Sequence, residues 1–128
     1  MAAGRYNFTI EQGATFRRTF KYKNSEGVGI DLSLHDVTMQ IRESAASANF
    51  ILDVNEAGAT KHDNTSITST KFTVSTVNNN EFSLVIDADT TASMSFDTAQ
   101  YDIEVKDSLD EVTRLLQGNI KLSREVTK

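Results

Sequence analysis

Apolar and polar side chains alternate along most of the chain, the period-two signature of strands with one buried face. Tyr6, Phe8 and Ile10 share one parity, with Asn7 and Thr9 between them. After a break at Glu11-Gln12-Gly13, Phe16, Phe20 and Tyr22 share the next parity. Val37, Met39 and Ile41 alternate with Thr38, Gln40 and Arg42, and Phe50, Leu52 and Val54 form a shorter run. Phe72 and Val74 precede the turn Asn78-Asn79-Asn80, and Phe82, Leu84 and Ile86 follow it, which predicts a hairpin. Tyr101, Ile103 and Val105 alternate with Asp102, Glu104 and Lys106. The last strand covers 112–122, with a bulge expected at Gly118.

This pattern predicts an all-β chain of about eight strands, folded over 1–128 as a single antiparallel β-sandwich or barrel with short terminal arms. No window carries a helical stripe over three turns. "ESAASAN" and "DADTTASMSF" are each predicted to form no more than a helical turn, the second capped by Asp89 or Thr90. Residues 55–70 are polar and predict one long loop, with Ile67 in a short strand inside it. Arg18 shares parity with Phe16 and Phe20. It is expected either at a bulge or sheet rim, where its guanidinium reaches water, or in a buried or interfacial pair with a carboxylate.

One short motif narrows the fold. Asp97-x-Ala99-x-Tyr101 is similar to the corner that leads into strand F of immunoglobulin-like sandwiches, where the tyrosine packs inward and its hydroxyl bonds nearby backbone. Ile103 stands where antibody domains carry a cysteine. An immunoglobulin-like sandwich, pinned by Asp97, Ala99 and Tyr101, is therefore one expected form.

Composition removes several functions. The chain has no cysteine, so disulfides, thiolate metal sites and cysteine nucleophiles are excluded. Thirteen basic against eighteen acidic residues give a net charge of −5, which argues against general nucleic-acid binding despite the basic, aromatic stretch "FRRTFKYK". The apolar runs are far shorter than the ~20 residues of a membrane-spanning helix, and "MAAGRYNF" lacks the apolar stretch of a secretory signal. There is no proline, so one common means of blunting sheet edges is missing. His35 and His62 are 27 positions apart, and would form a zinc site only if the fold brought them together. Asp53-x-Asn55 opens like a calcium loop, but Ala57 and Asn64 occupy positions where that loop needs oxygen ligands. No serine lies in a Gly-x-Ser-x-Gly elbow. The reading is a protein that is not an enzyme and has no cofactor or metal.

The stretch 9–44 resembles the start of a set of tailed-bacteriophage virion proteins, among them the N-terminal domain of phage baseplate upper proteins. The matching residues are Gln12, Gly13 and Thr15; Glu26 and Gly27; Asp31, Leu32 and Ser33; and Gln40, Ile41 and Arg42. The end of the chain, with Tyr101, Asp107 and Arg114-Leu115-Leu116-x-Gly118, is similar to the close of those domains. The resemblance implies a β-sandwich that attaches tail, baseplate or neck parts to one another, often within oligomers. The chain stops after the sandwich, so presentation of a host-binding tripod is not implied. Other virion proteins are the expected partners, with a homo-oligomer in the particle and no nucleic acid or membrane. The location implied is the virion, after synthesis in the host bacterial cytoplasm. A head decoration or head–tail connection protein is the alternative of the same class, and a carbohydrate-binding host-recognition module is the alternative of another. Arg5, Arg17, Arg18, Arg124 and Lys128 are the expected interface cations. Contacts are expected from the termini, the 55–70 loop and an open edge strand.

Overall fold

A computed structural model describes residues 4–23, 26–44 and 46–126. The chain is nearly all β. It forms strands β1 (Gly4–Arg5), β2 (Phe8–Glu11), β3 (Phe16–Lys21), β4 (Asp36–Arg42), β5 (Leu52–Val54), β6 (Ala59–Lys61), β7 (Ser66–Ile67), β8 (Lys71–Val74) and β9 (Glu81–Ile86). The short helix α1 (Ala88–Ala92) follows, then the long strands β10 (Thr98–Lys106) and β11 (Val112–Ser123).

Eight strands make the larger sheet, in the order β1-β11-β10-β4-β5-β6-β7, with β2 also on β11. Three make the smaller sheet, in the order β3-β9-β8. The predicted parities hold where they were strongest: β4, β9 and β10 alternate between buried and less buried positions throughout. Burying one face of each strand removes apolar area from water at roughly 25 cal/mol per Å². Side chains of both sheets join one buried cluster. Aromatic rings link them: Phe8 of β2 stacks on Phe16 of β3 with centroids 5.0 Å apart, and within the smaller sheet Phe82 of β9 stacks on Phe20 of β3 at 5.3 Å.

Four expectations are corrected. The pairing is mixed rather than antiparallel, because β1 and β2 both run parallel to β11. The stretch 55–70 is not one loop. It contains β6 and β7, which extend the larger sheet beyond β5. Its first turn closes because the Asn55 side-chain oxygen accepts the N–H groups of Ala57 and Gly58. The bulge lies at Leu115, where the β10 register steps from Leu116 to Arg114, and not at Gly118. The N-cap position is Asp87, two residues before Asp89 and three before Thr90, and its side chain makes no cap bond to the helix backbone. Its carboxylate accepts the hydroxyls of Thr70 and Thr90. Burial alone would raise the Asp87 pKa, but these hydroxyl bonds outweigh it and hold the carboxyl below its usual range.

Candidate interaction surfaces

The N-terminal segment runs parallel to β11 in one register and is broken at Tyr6 and Asn7, between β1 and β2. Tyr6 N–H donates to the Gln117 carbonyl at 3.0 Å, and one residue later the Asn7 side-chain oxygen, not the backbone, accepts Asn119 N–H at 2.9 Å. The Tyr6 carbonyl is thereby freed to accept the Tyr101 hydroxyl at 2.5 Å. Tyr101 is buried, and its ring lies 4.9 Å from that of Phe8. Its partner is thus 95 positions away in sequence, rather than the local backbone that a corner motif implies. Ala99 is buried on the same strand, while Asp97 is exposed and pairs with Arg124 at 3.1 Å.

Burial pushes the Tyr101 hydroxyl up to about 12. Its folded value then lies above the ordinary value near 10 of the unfolded chain. The stability this contributes is complete below pH 10 and is lost as pH rises toward 12, because the unfolded chain gives up its proton first. Tyr101→Phe is expected to cost about 1–2 kcal/mol at neutral pH, since the Tyr6 carbonyl is left without its donor. It should also flatten the fall in stability between pH 10 and 12. Urea titrations of both proteins across that range check the two effects.

Six of the residues quoted for the phage resemblance, Gln12, Gly13, Asp31, Ser33, Gln40 and Arg42, act as fasteners. Gln12 donates to the Met94 carbonyl at 2.9 Å and accepts Glu125 N–H at 3.0 Å. Gly13 N–H donates to Thr91 Oγ1 at 3.0 Å, and that hydroxyl donates to the Ala14 carbonyl. Gln40 Oε1 accepts two N–H groups of Arg42, whose third nitrogen reaches the Ser47 carbonyl. Asp31 Oδ1 accepts both the N–H and the hydroxyl of Ser33, which holds its carboxyl below the usual range.

The predicted interface cations fall into separate places. Arg5 and Arg18 line one groove between β1 and β3. Arg18 is exposed, with its guanidinium 5.4 Å from the Phe16 ring and 5.9 Å from the Tyr6 ring. Arg17 is exposed on the same strand. Arg124 donates to the Ser95 carbonyl as well as to Asp97, away from that groove. Lys128 lies outside the described residues, as does most of the expected N-terminal arm. Arg5 also lines a second, shallow groove on the polar outer face of the larger sheet, with Gln40, Arg42 and Gln100. There Arg114 pairs with Asp102 at 3.5 Å.

His35 and His62 lie at opposite ends of β4. His35 precedes it, and His62 lies in the β6–β7 turn, in a cleft shared with Glu43 and Met94. Seven strand residues span roughly 20 Å, so the fold does not join them.

The fold presents two further surfaces, an open edge that the sequence predicts without naming its strand, and a pole of loops. β3 ends the smaller sheet, and Tyr22 N–H donates inward to the Asn80 carbonyl. Ladder alternation then turns the backbone groups of Arg17, Thr19 and Lys21 outward.

The second is a pole of loops. The described residues of the 22–35 loop share one end of the molecule with the loops at 75–80 and 107–111: Leu32 N–H donates to the Asn79 carbonyl, and Asp36 stands opposite Lys106 in the β4–β10 ladder. Of six exposed large apolar side chains among the described residues, Val28, Leu34, Val77 and Leu109 lie in these loops, and Val112 lies beside them. Leu34, Val77 and Leu109 are 77%, 87% and 85% exposed. Local bonds hold the backbone at these side chains. Ser75 Oγ accepts Val77 N–H, Asp107 Oδ1 accepts Leu109 N–H, and the Asp31–Ser33 turn immediately precedes Leu34. A signal was present in the sequence: a turn-forming Ser or Asp stands two residues before Val77 and Leu109.

Compared with known protein families and with curated proteins, the chain finds no match.

Proposed function

We propose that this chain is a structural, non-catalytic component of a tailed-phage virion, in its tail, baseplate or neck, and that it attaches neighbouring virion proteins through its loop pole. The observation that carries attachment is the set of apolar side chains held out into water on braced turns. Exposing Leu34, Val77 and Leu109 forgoes about 1.5–3 kcal/mol of burial for each side chain, and a fixed backbone lowers the entropy lost when a partner covers them. The phage setting comes from the residues shared with baseplate upper domains, whose fastening bonds suit a rigid attachment part.

We read the two sheets as an immunoglobulin-like sandwich of the variable type. The order β3-β9-β8 matches B-E-D, and β11-β10-β4-β5-β6 matches G-F-C-C′-C″. The loops at 22–35 and 107–111 then correspond to B–C and F–G, two of the binding loops of variable domains. Carbohydrate recognition has less support, because Tyr22 and Tyr101 are buried and cannot stack on a sugar.

The test uses particles. Mass spectrometry of purified virions should find the chain at fixed stoichiometry, and labelled particles should show it at the tail or neck. A Leu34→Asp, Val77→Asp chain should fold normally by circular dichroism, since both sites are exposed, yet be depleted from particles by about tenfold or more, because each carboxylate would be desolvated at the contact. Particles that lack the wild-type chain would overturn the proposal.

A further inference from the structure

The groove between β1 and β3 lies between the open edges of the two sheets. It encloses about 580 Å³. Its cations are Arg5, Arg18, Lys21 and Lys23, and Phe20 and Leu116 give it apolar surface. Lys21 pairs with Glu81 at 3.4 Å, whereas Arg5, Arg18 and Lys23 have no carboxylate partner among the described residues. No acidic residue lines the groove. In a chain of net charge −5 this is a local reversal of sign.

The β10–β11 tip at the loop pole has the opposite character. Residues 107–111 carry Asp107, Asp110 and Glu111 around the exposed Leu109. The turn is fixed by Asp107 N–H to the Glu111 carbonyl at 3.0 Å and Asp110 N–H to the Asp107 carbonyl at 3.1 Å. Asp107 Oδ1 also accepts the N–H groups of Leu109 and Glu111, each at 2.9 Å. The tip cannot turn back into its own groove, because the β10–β4 ladder holds it as far as Lys106.

We infer that the β1–β3 groove receives the β10–β11 tip of a second copy of this chain. Leu109 enters against Phe20 and Leu116, and Glu111 faces Arg5, Arg18 and Lys23, while Asp110 is paired with Lys106 of its own strand at 3.4 Å. The two patches differ, so each copy offers one of each, and successive copies join head to tail. The inference rests on the reading of the loop pole as an attachment surface, and names its first partner. Leu34 and Val77 stay exposed for other proteins.

The test is a charge exchange in the full chain, followed by sedimentation as a function of concentration. Wild type should self-associate, and more weakly in 0.5 M salt, because exposed charges are screened. Glu111→Lys alone and Arg5→Glu alone should each weaken association by about tenfold or more, since each sets like charges face to face. The chain with both changes should regain most of the wild-type association, a recovery that misfolding cannot imitate. A wild-type chain that stays monomeric at millimolar concentration would overturn the inference, as would a double variant no better than either single one. These measurements use purified chain alone. A monomeric result leaves presence in virions standing, and absence from virions leaves the copy-to-copy contact standing.

Discussion

Gly118→Ala is expected to be among the most damaging single-methyl additions in the molecule. An added Cβ would lie 2.1 Å from the Tyr6 carbonyl oxygen and 2.8 Å from the Asn7 side-chain oxygen. Both neighbours are committed: the carbonyl accepts the Tyr101 hydroxyl and the amide oxygen accepts Asn119 N–H. Backbone cannot rotate aside as a flexible side chain would, so the N-terminal strand must lift from β11. That removes Phe8 from its contacts with Phe16 and Tyr101. The cost should reach about 3 kcal/mol or more. Urea denaturation would measure it, and amide exchange should show loss of protection concentrated at Phe8–Glu11. A stability within about 0.5 kcal/mol of wild type, the range of an ordinary surface change, would contradict this account of the break.

Phe82→Ala should cost about 3–5 kcal/mol. The ring is fully buried, stacked on Phe20 and edge-on to Phe72 at 5.7 Å. Its removal opens a cavity between the Phe20 and Phe72 rings of the two flanking strands. The midpoint of thermal unfolding should fall by roughly 10 °C or more. A domain holding ~5–15 kcal/mol in total would keep little reserve.

The strands that were legible in the sequence are those with one fully buried face. In β4, β9 and β10 the parity of Val37, Met39 and Ile41, of Phe82, Leu84 and Ile86, and of Tyr101, Ile103 and Val105 follows directly from the packing. β6 and β7 were hidden because they extend the sheet past its core. Their side chains are mostly polar, and Ala59 is their one fully buried position. The bulge was misplaced because Leu115 and Leu116 are both apolar and mask the change of parity, while a glycine draws attention to itself. Gly118 serves a different need, room for another strand's carbonyl, which no local pattern encodes. The parallel pairing of the N-terminal strand and the remote partner of Tyr101 were invisible for the same reason. The arginines were readable as unusual, but only the fold shows that Arg5 and Arg18 share a groove and Arg124 does not.

The strand β2 has a partner that the ribosome makes more than a hundred residues later. Asn7 and Asn119 are 112 positions apart, and β2 pairs with nothing but β11 among the described strands. At about 5–20 residues per second, the strand waits roughly 6–20 s after its own synthesis before a ladder exists for it to join. Throughout that interval Phe8 and Ile10 lack the β11 ladder, and Phe8 lacks the Tyr101 ring it packs on in the finished fold. Nascent chains crowded on one messenger could capture each other's strand in that window, so domain exchange is the characteristic error of this topology. The same delay acts as a checkpoint. A chain cut short anywhere before β11 lacks the first strand's partner and the Leu109 tip's return strand together, so an incomplete subunit has neither a closed fold nor a tip to offer an assembly.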